Sequence, residues 1–306
     1  MTTPDTTLDS TDFSAGFALP HQLVAVTGGA LAYYRFGTGP DVVAVHGWPL
    51  HAATFRKVLP YLTRHFTVHL FDLPGTGSTL WRGPIGFESN AVALREAIDA
   101  IGLGRYALLA HDSGGAIARL VAAGDPRVQG LVLSGSEIPG HHPALLALYM
   151  LCAKVPLLAR ALVASLQVGV LRRSPLAFGA CFEDARYADG DFAAHFIAPL
   201  ADPAVARGQM GLARAVDFGF IDRLADVHAR IAAPTLCIWG EHDPFFPVKK
   251  ARGMLPQFKG GAELVVVPGA KLFVHEDHPA EVAAHARPFL ERCLASGGMR
   301  AAHAAE

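Results

Sequence analysis

Charge is scarce in this chain. Only 17% of its 306 residues are Asp, Glu, Lys or Arg, against about 25% in ordinary soluble domains, while 51% are hydrophobic. That balance excludes disorder, because there is ample apolar surface to offset the entropy of ordering the chain. Neither sign of charge is in excess, since 27 acidic side chains face 26 basic ones. No broad field gathers nucleic acid or an anionic membrane, and neither partner is expected. The four cysteines, Cys152, Cys181, Cys237 and Cys293, stand far apart, with no C-x-x-C pair for zinc and no framework of a small secreted domain. They read as buried thiols in a reducing compartment. Long apolar runs are missing as well: stretches such as Ala144 to Ala153 stop well short of the ~20 residues a membrane span needs. The N-terminus lacks the basic start and apolar core of a signal peptide, so a soluble, cytoplasmic protein is expected. No G-x-G-x-x-G spacing and no metal-ligating motif is present, which leaves cofactor and metal both as none.

What is there is a repeated alternation. Leu23 to Val26 and Ala30 to Phe36 flank Thr27-Gly28-Gly29 and read as an antiparallel hairpin. Short apolar runs at Asp41 to Val45, Thr67 to Phe71, Tyr106 to Ala110 and Gly130 to Leu133 then alternate with helical patterns, as do Thr235 to Trp239 and Glu263 to Val267. Such runs mark strands buried on both faces, hence a mostly parallel sheet of eight strands covered by helices. The helix at Glu88 to Ile101 illustrates the pattern, with Val92, Leu94, Ile98 and Ile101 on one stripe and Gly102 ending it. A last helix runs from Pro279 to about Leu294. Between Gly140 and about Phe220 the alternation stops, and Leu145 to Val170 reads as helix broken near Pro156. The organisation expected is an α/β core at 21–138 and 221–296, a helical cap at 139–220, and flexible tails at 1–20 and 297–306. The cap would sit over the C-terminal ends of the strands, where open α/β sheets bind ligands.

The stretch Leu108-Leu-Ala110-His111-Asp112-Ser113-Gly114-Gly115 passes from strand through small residues into the helix Ala116 to Ala123. A nucleophile elbow needs small residues two before and two after the nucleophile, because bulky ones collide with the neighbouring strand and helix. Ala110 and Gly114 meet that need around Asp112. For Ser113 as nucleophile the first small position would be His111, which is too large. Upstream, Val43-Ala-Val45-His46-Gly47-Trp48-Pro49 follows a strand, and the amides of Trp48 and Ser113 are candidates for an oxyanion hole. Downstream, Gly240-Glu241-His242-Asp243-Pro244 places Asp243 just beyond a buried strand, where it suits the orienting of a catalytic imidazole. Glu137, at the end of another strand, is the alternative acid.

Together and in this order these motifs, with Asp72-Leu-Pro-Gly75-Thr-Gly77-Ser78 and the terminal Glu276-Asp277-His278-Pro279, resemble the α/β-hydrolase fold family over about Leu23 to Leu294. The closest likeness is to its Asp-nucleophile branch of epoxide hydrolases and haloalkane or haloacetate dehalogenases. The resemblance implies that Asp112 attacks carbon to form an ester, which a His-activated water then hydrolyses. It also implies a catalytic His seven residues before the Pro that starts the last helix, and counting back from Pro279 lands on Leu272. Leu cannot accept a proton. Three outcomes follow: His275 serves as base from a rearranged loop, Leu272 blocks the site and traps the ester, or the chemistry needs no water.

The resembling dehalogenases hold the leaving halide with an indole or guanidinium beside the nucleophile, where this chain has Ser113. All three tryptophans, Trp48, Trp81 and Trp239, also lie outside the cap. Similar epoxide hydrolases protonate the leaving alkoxide with two cap tyrosines, and the cap here contains Tyr149 and Tyr187. Epoxide opening therefore ranks first, dehalogenation second, and a non-hydrolytic isomerase, cyclase or binding protein third. His46, Tyr149, Tyr187 and Leu272 are the expected substrate-binding residues, around an apolar pocket for a hydrophobic small molecule.

Overall fold

The computed structural model describes residues 13–303. A single sheet organises them. Its strands are β1 (Gln22–Val26), β2 (Gly29–Phe36), β3 (Asp41–Val45), β4 (Thr67–Phe71), β5 (Leu80–Trp81), β6 (Tyr106–His111), β7 (Val128–Ser134), β8 (Thr235–Gly240) and β9 (Ala262–Val267). The order is β1-β2-β4-β3-β6-β7-β8-β9, with β5 pairing β2 off this path. Pairing from β4 through β3, β6, β7 and β8 to β9 is parallel, and β1, β2 and β5 pair antiparallel. Every residue of β4, β6 and β8 is buried, as near-continuous apolar runs require when helices cover both faces. The ninth strand, β5, is two residues long, too short to leave a period in the sequence.

Helices α1 (Phe87–Ala100), α2 (Ser113–Gly124) and the last helix Pro279–His303 flank the sheet. Between β7 and β8 the chain leaves the sheet for a helical insertion whose longest members are α3 (Ala144–Lys154), α4 (Pro156–Gln167) and α5 (Pro203–Ala215). The axes of α3 and α4 differ by 118° across Val155. The cause is local: Pro156 opens α4 at its first turn, where its missing N–H costs nothing, and holds Val155 extended at φ −108°, ψ 111°.

Both ends depart from the sequence expectation. Residues 1–12 lie outside the described residues, but 13–20 are not a loose tail: Phe13 and Phe17 are buried, their rings against Phe36 and Tyr34. The last helix continues past Leu294 to His303, through residues assigned to the C-terminal tail.

One cation ties the insertion to the core. Arg56, buried after β3, donates from Nη1 to Glu276 Oε1 at 2.6 Å and from Nε to Asp191 Oδ2 at 2.7 Å. Glu276 belongs to the last core loop and Asp191 to the insertion, and Lys57 reaches Glu276 from the other side at 3.1 Å. Breaking a buried ion pair by removing one partner costs about 3–5 kcal/mol, and the loss here falls at the low end because Glu276 keeps Lys57 and Asp191 is half-exposed. Arg56→Met should therefore lower the free energy of unfolding in urea by about 3 kcal/mol. A loss below about 1 kcal/mol, the value of an exposed pair, would show that Glu276 escapes to water.

Candidate active site

Asp112 stands between β6 and α2 at φ +51°, ψ −134°, and is the only non-glycine residue with positive φ among the described residues. Such a backbone costs on the order of 1–3 kcal/mol and persists only where its surroundings over-determine it. Here they do. The Asp112 amide donates to the carbonyls of Ser134 (3.1 Å) and Gly135 (2.9 Å), and its own carbonyl accepts from Gly115 at 2.7 Å. Close packing needs glycine on two sides: a Cβ on Gly114 would lie 2.3 Å from the His46 carbonyl, and one on Gly47 would lie 2.4 Å from the Asp112 Cβ.

The side chain meets two amides. Trp48 N–H lies 2.9 Å from Asp112 Oδ2 and 2.9 Å from Ser113 Oγ, and the Ser113 amide also bonds the carboxyl. These bonds favour the carboxylate, yet burial, and after it the nearby Glu137, push the Asp112 pKa up to about 8. Glu137 itself is raised by burial, against the pull of buried Arg119.

Asp243 lies in the loop after β8, buried. Its Oδ1 accepts from the amides of Phe245 and Phe246, both at 2.9 Å, and its Oδ2 has no partner. Burial raises its pKa to about 7 against those two amides. A Cβ on Gly135 would lie 2.9 Å from Leu272 Cδ1 and 3.0 Å from Asp243 Oδ2, so the Leu272 side chain is neighbour to that unpartnered oxygen. The position counted back from Pro279 is thus beside the acid in space, but it holds a hydrocarbon.

Leu272 also lines a cavity shared with Asp112, Trp48, Tyr149, Cys181 and Met210. The other walls are apolar, chiefly Leu146 and Leu166 of the insertion and Phe178, Phe245 and Phe246. Its volume is about 60 Å³, several times the ~10–15 Å³ that one water occupies. A small apolar ligand fits there.

Three of the expected residues are elsewhere. His275 is buried with Nε2 2.7 Å from Thr54 Oγ1 and its ring against Phe55, His111 and Phe273, and it does not line the cavity. Burial holds its pKa down at about 3, so it is a neutral ring packed behind the site rather than a base facing Asp112. His46 is also buried outside the cavity. Its Nε2 accepts the Leu73 amide at 3.0 Å, leaving Nδ1 to donate to the Gly47 carbonyl at 3.0 Å, so it braces the loop that carries Trp48. Tyr187 is half-exposed, with Lys57 Nζ 5.7 Å above its ring. Tyr149 does line the cavity, its ring 5.8 Å from Trp48, while its hydroxyl donates to the Leu176 carbonyl at 2.8 Å.

The sequence reading missed His111 and Cys181. His111 Nε2 donates to the Leu272 carbonyl at 3.1 Å and fixes the 272 loop against the end of β6. A large residue beside the elbow was the available signal. Cys181 reaches the cavity from an irregular part of the insertion, where no periodicity marks an inward face.

The sequence pattern of the α/β-hydrolase fold matches residues 40–279, and the chain belongs to that family. Over 267 residues it is 29% identical to haloalkane dehalogenase 2 of Mycobacterium tuberculosis, covering 84% of this chain and 90% of that one. Over 122 residues it is 35% identical to the pimeloyl-[acyl-carrier protein] methyl ester esterase of Aeromonas hydrophila, spanning about half of that enzyme (47%) and 37% of this chain. A third relative, the soluble epoxide hydrolase of Corynebacterium sp. strain C12, is 31% identical over 102 residues, 33% of this chain and 35% of that one. Among solved structures, the epoxide hydrolase CorEH superposes with a TM-score of 0.77 at 18% identity, covering 89% of this chain and 98% of that one.

The unpaired carboxyl yields a prediction. Asp243 is protonated more readily folded than unfolded, so its contribution to stability is full below about pH 4 and is lost as the pH rises to about 7. Asp243→Asn keeps an oxygen for the Phe245 and Phe246 amides and removes the charge. It should raise stability at pH 8 by on the order of 2–4 kcal/mol and have little effect at pH 4. Thermal unfolding at both pH values decides: a variant less stable at pH 8 would mean that the carboxylate has a cationic partner.

Proposed function

We propose that this hydrolase-fold protein opens a small apolar epoxide by attack of Asp112, and that Leu272 leaves the resulting ester slow to hydrolyse. The observation that carries the reading is the Asp112 carboxyl, held in a strained elbow by the Trp48 and Ser113 amides at the edge of an apolar cavity. Trp48 holds Oδ2, so Oδ1 attacks the ring carbon. A C–O bond forms, the ring C–O bond breaks, and the released alkoxide takes a proton. Tyr149, whose ring lines the cavity, would supply that proton once its hydroxyl turns from the Leu176 carbonyl. A phenol loses its proton only near pH 10, and burial pushes Tyr149 higher still, so it enters the reaction protonated.

Hydrolysis of the ester then needs water activated beside its carbonyl carbon, with the developing negative charge on the oxygen held by the two amides. Asp243 is ready to orient a base, but the position beside its free oxygen is filled by Leu272. Loss of a general base typically costs 10²–10⁴ in rate, so the ester outlives its formation.

Dehalogenation is the second reading, favoured by the long match to haloalkane dehalogenase 2. It ranks lower because a released halide needs N–H donors, and the Trp48 indole N–H is engaged by the Gln209 carbonyl at 2.8 Å.

Incubation with a small aliphatic epoxide should add one ligand mass to the protein, with the label on Asp112 by peptide mapping and none on Asp112→Asn. Labelling should rise about tenfold from pH 6 to pH 7 and level off above about 8, as the carboxyl ionises. Label on Ser113 would overturn the reading, and no label on any residue would move the non-hydrolytic or binding protein ahead of it.

Leu272→His puts an imidazole beside Asp243 Oδ2. It should clear the adduct at least 10²-fold faster than wild type, while Leu272→Ala should not. If His275→Ala abolishes a measurable wild-type turnover and Leu272→His adds nothing, the base is His275 after all.

A further inference from the structure

The near-zero net charge of the whole chain conceals a local imbalance. From residue 138 to residue 182 there are four cations, Lys154, Arg160, Arg172 and Arg173, and no carboxylate. Arg172 and Arg173 share one acid, Asp189. Lys154 and Arg160 are exposed and, among the described residues, form no ion pair.

The same segment turns apolar side chains outward. On α3 the exposed stripe is Ala144, Leu148 and Leu151, spaced four and three residues apart, with exposed Val155 following in the bend. On α4 it is Leu157, Ala161 and Ala164, continued by Val168 and Val170. Exposure is large: Leu151 is 55%, Leu157 74% and Val170 67% open. The opposite faces of these helices already carry Leu146, Tyr149, Leu162 and Leu166 into the cavity. A surface helix ordinarily turns polar residues to water, and one apolar on every side is built to be covered on both. The two helices contact one another, and exposed Lys154 and Arg160 stand among their outward apolar residues along the chain, so the outward face of the insertion carries both apolar and cationic side chains.

We infer that this face docks the protein onto the surface of an anionic phospholipid bilayer. The partner follows from charge and length. Cations beside an apolar stripe match acidic headgroups over acyl chains, with the Lys and Arg stems lying along the boundary. Helices of 11 and 12 residues are about 17 and 18 Å long, against ~30 Å of hydrocarbon, and the 118° bend between them forbids one continuous span. They lie on the membrane rather than cross it. Because α3 and α4 also wall the cavity, docking would set the site close to a pool of apolar molecules.

The test uses the intact protein with vesicles of phosphatidylcholine, alone or mixed with phosphatidylglycerol, in a sedimentation assay. Wild type should bind the mixed vesicles and bind pure phosphatidylcholine at least several-fold less, with binding falling as salt rises. Leu157→Asp with Val170→Asp should lower the partition coefficient roughly tenfold or more, and Lys154→Glu with Arg160→Glu should remove the preference for phosphatidylglycerol. Unchanged thermal unfolding separates either effect from misfolding. Absence of binding to mixed vesicles, or equal binding to both kinds, overturns the inference. So does a dimeric mass by light scattering that returns to a monomer in Leu157→Asp with Val170→Asp, since a second copy would then be what covers the face.

Discussion

The site depends on one strained peptide unit. Asp112 is held at positive φ because β6 must end and α2 must begin within a single residue, beneath a loop that passes so close that Gly47 and Gly114 have no room for a side chain. From that unit the rest of the geometry follows. The carboxyl points into the cavity beneath the insertion, the first amide of α2, that of Ser113, and the Trp48 amide converge on it, and its own amide is held by two carbonyls at the end of β7. His46 and His111, whose types would attract a catalytic reading, brace the loops of Trp48 and Leu272 around this point.

Around that unit the electrostatics are set mainly by burial. Asp112, Glu137 and Asp243 are buried together, and each is raised above the ordinary carboxyl range mainly by loss of water. The buried guanidinium of Arg119 sits toward Glu137, donating to its carbonyl at 2.7 Å, and among the described residues Asp112 and Asp243 form no ion pair. An imidazole at position 272 would supply the missing donor to Asp243 and a proton acceptor for water. Leu272 supplies neither, and in a low-dielectric pocket the carboxyls respond by holding their protons. The residue at position 272 therefore bears on both the stability of Asp243 and the proposed chemistry.

The insertion serves two surfaces at once. Its inner face closes the cavity, and Arg56 fixes it to the core through Asp191 and Glu276. Its outer face exposes Leu148, Leu151, Leu157 and Val170, apolar side chains that whole-chain composition does not single out. Averaging over the sequence cancels Lys154 and Arg160 against acids that lie outside residues 138–182.

The parallel sheet, the helical insertion between β7 and β8 and the sharp turn at Asp112 were all legible in the sequence. Each is a local matter, expressed in strand runs, helical periods or a pair of small residues, within reach of near neighbours along the chain. What His275, Tyr149 and Tyr187 do was not legible, because it turns on which way a side chain points after the chain has folded. Only the tertiary structure could put His275 against Thr54, Tyr187 in solvent beside Lys57, and the free oxygen of Asp243 beside Leu272. Those contacts join residues brought together by packing of the insertion and the last loops on the sheet, and no spacing in the sequence encodes them.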